Sequence, residues 1–200
     1  MLVLKFGGTS VGSVENMTNV KNIIKTSGKK VVVLSAMSGT TNALVALSEN
    51  VRNNEIKEGN KSLDELYIKY NKTISELLNQ SSLSQEVGNY IDSVFDFLRS
   101  CLNESYSELL YNQIVSQGEL LSTFIFSRFL TQEGLNARLL PALDFMRIDR
   151  NKEPDNFYIA QNLNRAIDEM LPADIYITQG FICLDADGKI SNLERGGSDY

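Results

Sequence analysis

The amino-acid sequence predicts an α/β protein with a mainly parallel central sheet and a long helical block set into it. Three observations carry that expectation. A short apolar run, Leu2-Val3-Leu4, meets a glycine pair, Gly7-Gly8, and then a helical pattern from Val14 to Ile24. A second run, Val31–Leu34, meets a loop of small and hydroxyl residues, Ser35–Asn42, and another helical pattern with Leu44, Val45 and Leu47 on one face. From about Ser62 to Leu130 no proline interrupts one apolar stripe after another. Strand, helix, strand with short connections favours a parallel sheet, whose ligands gather at the carboxyl ends of its strands.

Taken in order, Leu2–Leu4 reads as a buried strand that Gly7-Gly8 stop where the backbone turns. Val14, Met17, Val20, Ile23 and Ile24 then recur near the helical period, with Ser13 as N-cap and Glu15 in the first turn. Such a strand, glycine turn and helix can cradle an anion on unpaired N–H groups above Gly7, Gly8 and Thr9. Two phosphate-loop patterns fail. Gly7 and Gly12 have the P-loop gap, but Ser13 stands where that motif needs lysine, and G-x-G-x-x-G lacks a glycine at position 9. Lys5, placed before the glycines, can reach over the turn to a phosphoryl group as a point charge. It reads equally as an edge-of-sheet lysine beside a structural turn, and the stretch alone leaves both open.

The second loop, S-A-M-S-G-T-T-N, lies on the same expected rim, and helix capping by Ser38 or Thr40 accounts for some of its hydroxyls. Two core stripes follow, Leu63, Leu66, Tyr67, Tyr70, Ile74, Leu77 and Leu78, then Val87, Tyr90, Ile91, Val94, Phe95, Leu98 and Leu102, and neither is assigned chemistry. A third helix, Ser107–Leu130, carries Gly118-Glu119 among apolar residues. Glu119 is either a solvated helix carboxylate or an inward acceptor for an ammonium group. Strands are expected at Ala137–Leu140 and Asp174–Thr178, a small hairpin at Phe145–Ile148, and a helix at Ile159–Met170. Asp185-Ala186-Asp187-Gly188 joins two short strands. It is no EF-hand, because Lys189 and Gly196 occupy positions that need acidic ligands. The last residues, Arg195-Gly196-Gly197-Ser198-Asp199, form either a second backbone cradle with a carboxylate-binding guanidinium or a flexible tail.

The 200 residues, 42% hydrophobic, suffice for one domain with a sizeable core. A net charge of −6 argues against a general nucleic-acid surface. No run approaches a membrane span and the start lacks a signal-peptide pattern, so a cytoplasmic protein without membrane or nucleic-acid partners is expected. Cys101 and Cys183 fit no zinc or redox spacing. With no histidine, His-based acid–base catalysis and His ligation are excluded, and charge work falls to Lys, Arg, Asp, Glu or backbone N–H groups.

Lys5-Phe6-Gly7-Gly8-Thr9-Ser10-Val11 resembles the opening signature of aspartate kinases, within the amino-acid kinase family. Ser35–Asn42 resembles the family's S-A-x-x-G-x-T-N loop; Gly118, Glu119 and Ser122 its G-E-x-x-S element; and Thr178–Ile182 running on to Arg195–Tyr200 its closing R-G-G-S-D element. Each is weak alone, but the ordered set spans the chain. Glu194 departs from the pattern, standing where many members have glycine; a positive φ there would cost roughly 1–2 kcal/mol, and its carboxylate could compete for Arg195.

The resemblance implies a three-layer α/β/α amino-acid kinase fold, incomplete here, with a helical insertion at about 60–132. The nucleotide-binding C-terminal part and the regulatory ACT domains are expected to lie beyond the 200 residues, which alone should have little or no activity. It implies transfer of the ATP γ-phosphoryl group to the β-carboxylate of L-aspartate, giving 4-phospho-L-aspartate, the first step toward lysine, threonine and methionine. Such chemistry asks mainly for alignment and charge neutralisation. Lys5, Gly7, Gly8 and Thr9 would contact phosphate, with Lys5 and Asp199 catalytic. Ser35, Thr41, Glu119, Arg195 and Ser198 would bind aspartate, Glu119 through its ammonium and Arg195 through its α-carboxylate. Mg2+ would be held through the nucleotide phosphates, with no protein metal site, and the full-length protein would be a homo-oligomer. Other readings are a glutamate- or acetylglutamate-type kinase of the same fold, and a non-catalytic aspartate-binding module.

Overall fold

The computed structural model describes residues 1–193. Four parallel strands form the central sheet in the order β1-β2-β4-β3: β1 (Leu2–Phe6), β2 (Lys30–Leu34), β3 (Ala137–Leu139) and β4 (Ile175–Gln179). In register, Lys5 lies beside Val33, and Val33 beside Thr178. A separate antiparallel pair, β5 (Ile182–Leu184) and β6 (Ile190–Asn192), is joined by the expected Asp-Gly turn.

Side chains alternate across the sheet and sort two cores. Val32, Leu34, Ile175 and Ile177 face a large cluster shared with α1 (Val14–Ile24), α2 (Thr40–Asn53), α3 (Ile56–Leu77), α4 (Ser81–Cys101) and α5 (Glu108–Gln132). Val31 and Tyr176 face the other way, toward Leu163, Ala166 and Ile167 of α6 (Asn156–Glu169) and a single 3-10 turn, Ala142–Asp144. The result is the three-layer α/β/α arrangement. Each fully buried Val, Leu or Ile contributes about 1.5–3 kcal/mol, so the first core dominates the hydrophobic stabilisation.

α1 begins where the sequence predicts: Ser13 Oγ accepts from Asn16 N at 3.2 Å and Glu15 lies in the first turn. Helix α5 is buried on nearly all sides, between α2 and α4 and against β2, β3 and β4. Its inward hydroxyls are satisfied by backbone carbonyls, Ser116 by Gln113 O and Ser127 by Phe124 O, which is how polar residues can line a core helix without an unpaired group. The helical stretch opens earlier than expected, at Ile56, and α6 starts at Asn156 because Asp155 caps it through Tyr158 N.

Three expectations are corrected. Leu2–Leu4 is not a buried strand: β1 is the edge of the described sheet, and Leu2 and Val3 are 54% and 64% exposed. Val3 borders a groove of about 280 Å³ with Val31, Val33, Ile159, Leu163 and Phe181 where α6 does not reach across the sheet. Ile23 follows the helical period yet is exposed, since no element packs over that side of α1 among the described residues. Phe145–Ile148 forms no hairpin; Arg147 and Ile148 make isolated bridges to Leu184 and Pro154, and proline, lacking an N–H, cannot extend a ladder.

Candidate active site

The carboxyl ends of β1, β2 and β4 stand side by side: Ser35 N donates to Phe6 O at 3.1 Å and Gly180 N to Leu34 O at 2.9 Å. The first loop turns tightly, with Ser10 N on Gly7 O at 2.9 Å, and packs directly on the second through Ser38 N to Gly8 O at 3.0 Å. Gly8 is required by that approach, because a Cβ there would lie 2.7 Å from Ala36 O. At Gly12 a Cβ would lie 2.9 Å from Ser38 Cβ. Around Gly7, by contrast, the Cβ position is open space.

From below, α5 supports the same loop. A Cβ on Gly118 would meet Ala36 Cβ at 2.8 Å, so glycine lets helix and loop touch. Glu119, 3% exposed, accepts from Ala36 N through Oε1 at 3.2 Å. Ser122 Oγ donates to Ser35 O at 2.8 Å. Glu119 and Ser122, one turn apart on α5, therefore grip the two ends of one peptide unit, the Ser35–Ala36 amide. Behind Glu119 runs a buried chain: Thr123 Oγ1 donates to Glu119 O at 2.8 Å, Gln179 Nε2 donates to Thr123 Oγ1 at 2.7 Å, and Gln179 Oε1 accepts from Ala142 N at 2.7 Å.

Glu119 Oε2 is buried without a hydrogen-bond partner among the described residues. Burial pushes this carboxyl up to about 7, against the opposing pull of the Ala36 N–H. An orphaned buried carboxylate oxygen is expensive, and the natural remedy is a cationic ligand.

Of the residues singled out in sequence, the structure joins Gly8, Ser35 and Glu119 in one contact network, with half-buried Thr41 in the first turn of α2. Lys5 is exposed, on the edge strand two residues before the glycine pair. Exposed Thr9 uses its carbonyl on Asn16 Nδ2 at 2.7 Å. Arg195, Ser198 and Asp199, assigned roles in the sequence, and the departure at Glu194 lie outside the described residues.

Two local readings change. Neither Ser38 nor Thr40 caps α2: its N-cap is Gly39, at φ 81 and without a side-chain bond, while Thr40 Oγ1 pairs with Tyr70 Oη at 3.1 Å. The first anion cradle is also smaller than expected, because Ser13 Oγ, Thr9 O and Gly7 O already take the N–H groups of Asn16, Gly12 and Ser10. Sequence reasoning missed Phe181, which stands at φ 67 inside a γ-turn closed by Ile182 N on Gly180 O at 2.7 Å. It also missed the reach of α3 to this loop. Glycine beside an aromatic after a strand gives no warning of the former, and a core stripe gives none of the latter.

A parallel sheet with a glycine turn, a hydroxyl-rich loop and a buried carboxylate gathered at its carboxyl rim defines an α/β protein with polar groups placed where such sheets take ligands. The chain belongs to the amino acid kinase family, whose sequence model matches residues 1–200. It is 32% identical to lysine-sensitive aspartokinase 3 of Escherichia coli K12 over all of this chain and 44% of the relative. It is likewise 32% identical to chloroplastic aspartokinase 1 of Arabidopsis thaliana, over 98% of this chain and 36% of the relative. The fold superposes on the crystal structure of E. coli aspartokinase III in complex with aspartate and ADP with a TM-score of 0.82 at 30% identity, covering 100% of this chain and 45% of that one. The aspartate kinase of Clostridium acetobutylicum shares the fold, with a TM-score of 0.76 at 20% identity, over 100% of this chain and 42% of that one. The chain thus spans less than half the length of these relatives.

Proposed function

We propose that this chain is the aspartate-binding, phosphate-contacting part of an aspartate kinase, which transfers the γ-phosphoryl group of ATP to the β-carboxylate of L-aspartate. The observation that carries the reading is Glu119: a buried carboxylate with one oxygen on the Ala36 N–H and the other, among the described residues, unpartnered. An α-ammonium would satisfy that oxygen and stabilise the ionised form. Likeness to a protein crystallised with aspartate and ADP supports the choice of ligands.

In this reading Ser35 and Thr41 hold the acceptor end of aspartate, with Arg195 on the α-carboxylate and Ser198 assisting. Lys5 and the N–H groups of Gly7 and Gly8, with Thr9 alongside, neutralise the transferring phosphoryl group, whose charge spreads over its equatorial oxygens. Open space at Gly7 suits close approach of a phosphate. Asp199 orients Lys5 or the reaction centre by charge. Residues of about 60–132 serve as the helical insertion that carries Glu119. Mg2+ would be held through the nucleotide phosphates and would help neutralise their charge. No helix among the described residues is long and apolar enough to cross a membrane. In this reading the full-length enzyme is a cytoplasmic homo-oligomer.

The test is trapping of the acyl phosphate with hydroxylamine in the full-length protein. Aspartate and ATP together should give the hydroxamate, and Lys5→Ala should depress kcat far more than aspartate affinity. Product from glutamate or acetylglutamate in place of aspartate would refute the substrate, and an unchanged kcat would refute the role of Lys5.

A further inference from the structure

Lys69 and Tyr70, adjacent on α3, belong to no motif of the loops, yet both end on the Ser35–Asn42 loop. Lys69 Nζ donates to the Ser38 carbonyl, and Tyr70 Oη shares a hydrogen bond with Thr40 Oγ1, both of those side chains being fully buried. Between the two contacts sits Gly39, whose added Cβ would lie 3.9 Å from Lys69 Nζ. Gly39 supplies α2 with no side-chain cap, so the turn into that helix is restrained from α3. The loop's first half is held differently, from α5, by Glu119 on Ala36 N and Ser122 on Ser35 O.

The position of Lys69 is electrostatically unfavourable. It holds a half-buried ammonium beside the positive end of α2, and burial lowers its proton affinity. A lysine turned outward to water would escape both penalties. The contact with the Ser38 carbonyl is the compensation visible among the described residues.

We propose that Lys69 and Tyr70 form a positioning clasp which sets the placement of the Thr41 hydroxyl against the amino-acid substrate, a role that rests on the aspartate-kinase reading above. They act through the loop and touch no reacting atom. Displacing a substrate-positioning group by a fraction of an ångström is enough to weaken the correct pose.

The experiment compares Lys69→Met, Lys69→Arg and Tyr70→Phe in the full-length protein, by steady-state kinetics with each substrate varied and by hydrogen exchange at the amides of Ser38 and Thr40, with the Ala36 amide, held from α5, as the internal control. Lys69→Met should raise the aspartate KM about tenfold, the size of one charge-assisted hydrogen bond, and leave the ATP KM within about twofold. The Ser38 and Thr40 amides should exchange faster while Ala36, β2 and α5 keep their protection. Lys69→Arg, which retains a donor, should recover most of both effects, and Tyr70→Phe should shift them in the same direction. Unchanged aspartate KM with unchanged exchange in Lys69→Met would overturn the clasp. So would a parallel rise in both KM values with protection lost throughout the sheet, which marks a merely structural role. Faster loop exchange in Lys69→Met, in a wild-type protein that does not phosphorylate aspartate, would support the restraint and sink the reaction assigned to it.

Discussion

Replacing Glu119 by glutamine should stabilise the chain strongly at pH 8 and only slightly at pH 5. Glutamine keeps an acceptor for Ala36 N–H, so the loop contact survives. What changes is the charge. The carboxyl is held at about 7, against 4.5 for an ordinary glutamate, with burial as the main cause. Between those two values the folded chain retains a proton that the unfolded chain has released, so stability falls as pH rises across that window and the full penalty is present above it. At about 1.4 kcal/mol per pH unit, the interval amounts to about 3 kcal/mol. Urea titrations of wild type and Glu119→Gln at pH 5, 6, 7 and 8 would read the difference, and comparing variants at each pH cancels the cost of an unpartnered polar atom common to both. The gain should grow from under about 1 kcal/mol at pH 5 to about 3 kcal/mol at pH 8. A difference that stays flat with pH would mean that Oε2 is paired or hydrated, and the argument for a cation-seeking carboxylate would collapse. In the full-length protein the same substitution should raise the aspartate KM, a stability gain at the expense of binding.

The glycines of the first loop separate packing from ligand approach. Gly8→Ala should destabilise by about 1–3 kcal/mol, because its Cβ would strike the Ala36 carbonyl and neither backbone can yield easily. Gly7→Ala should leave the melting temperature within about 2 °C, since nothing lies within 4 Å of that Cβ, yet lower kcat with ATP. Ser122→Ala should cost about 1 kcal/mol in urea unfolding by freeing the Ser35 carbonyl. Cys101 and Cys183, buried and pushed up to about 11 and about 12, should react with a thiol reagent at pH 8 only as fast as the chain opens, and prompt labelling of the folded chain would contradict their burial.

Much of the fold was legible because its signals are local. Ser13 announced α1, the paired stripes announced α3 and α4, and Asp185–Gly188 announced the β5–β6 turn. The errors share a physical origin. An apolar run says that a segment can be buried, but only neighbours bury it, and β1 lacks one on its outer side among the described residues. Helical period says which face of α3 turns inward, but not that Lys69 and Tyr70 meet a loop thirty-odd residues upstream instead of lipid-like core alone.

By itself the sequence determined the elements, their order and the residue types available for charge chemistry: a lysine before a glycine turn, hydroxyls in a second loop, a glutamate on an apolar helix and no histidine. Tertiary structure alone decided that Gly8, Ser35 and Glu119 share one contact network and that one oxygen of Glu119 has no partner among the described residues. Chemical identity is carried along the chain, whereas burial and pairing arise only where segments distant in sequence exclude water together, and the affinity of a carboxylate for a cation depends on that exclusion.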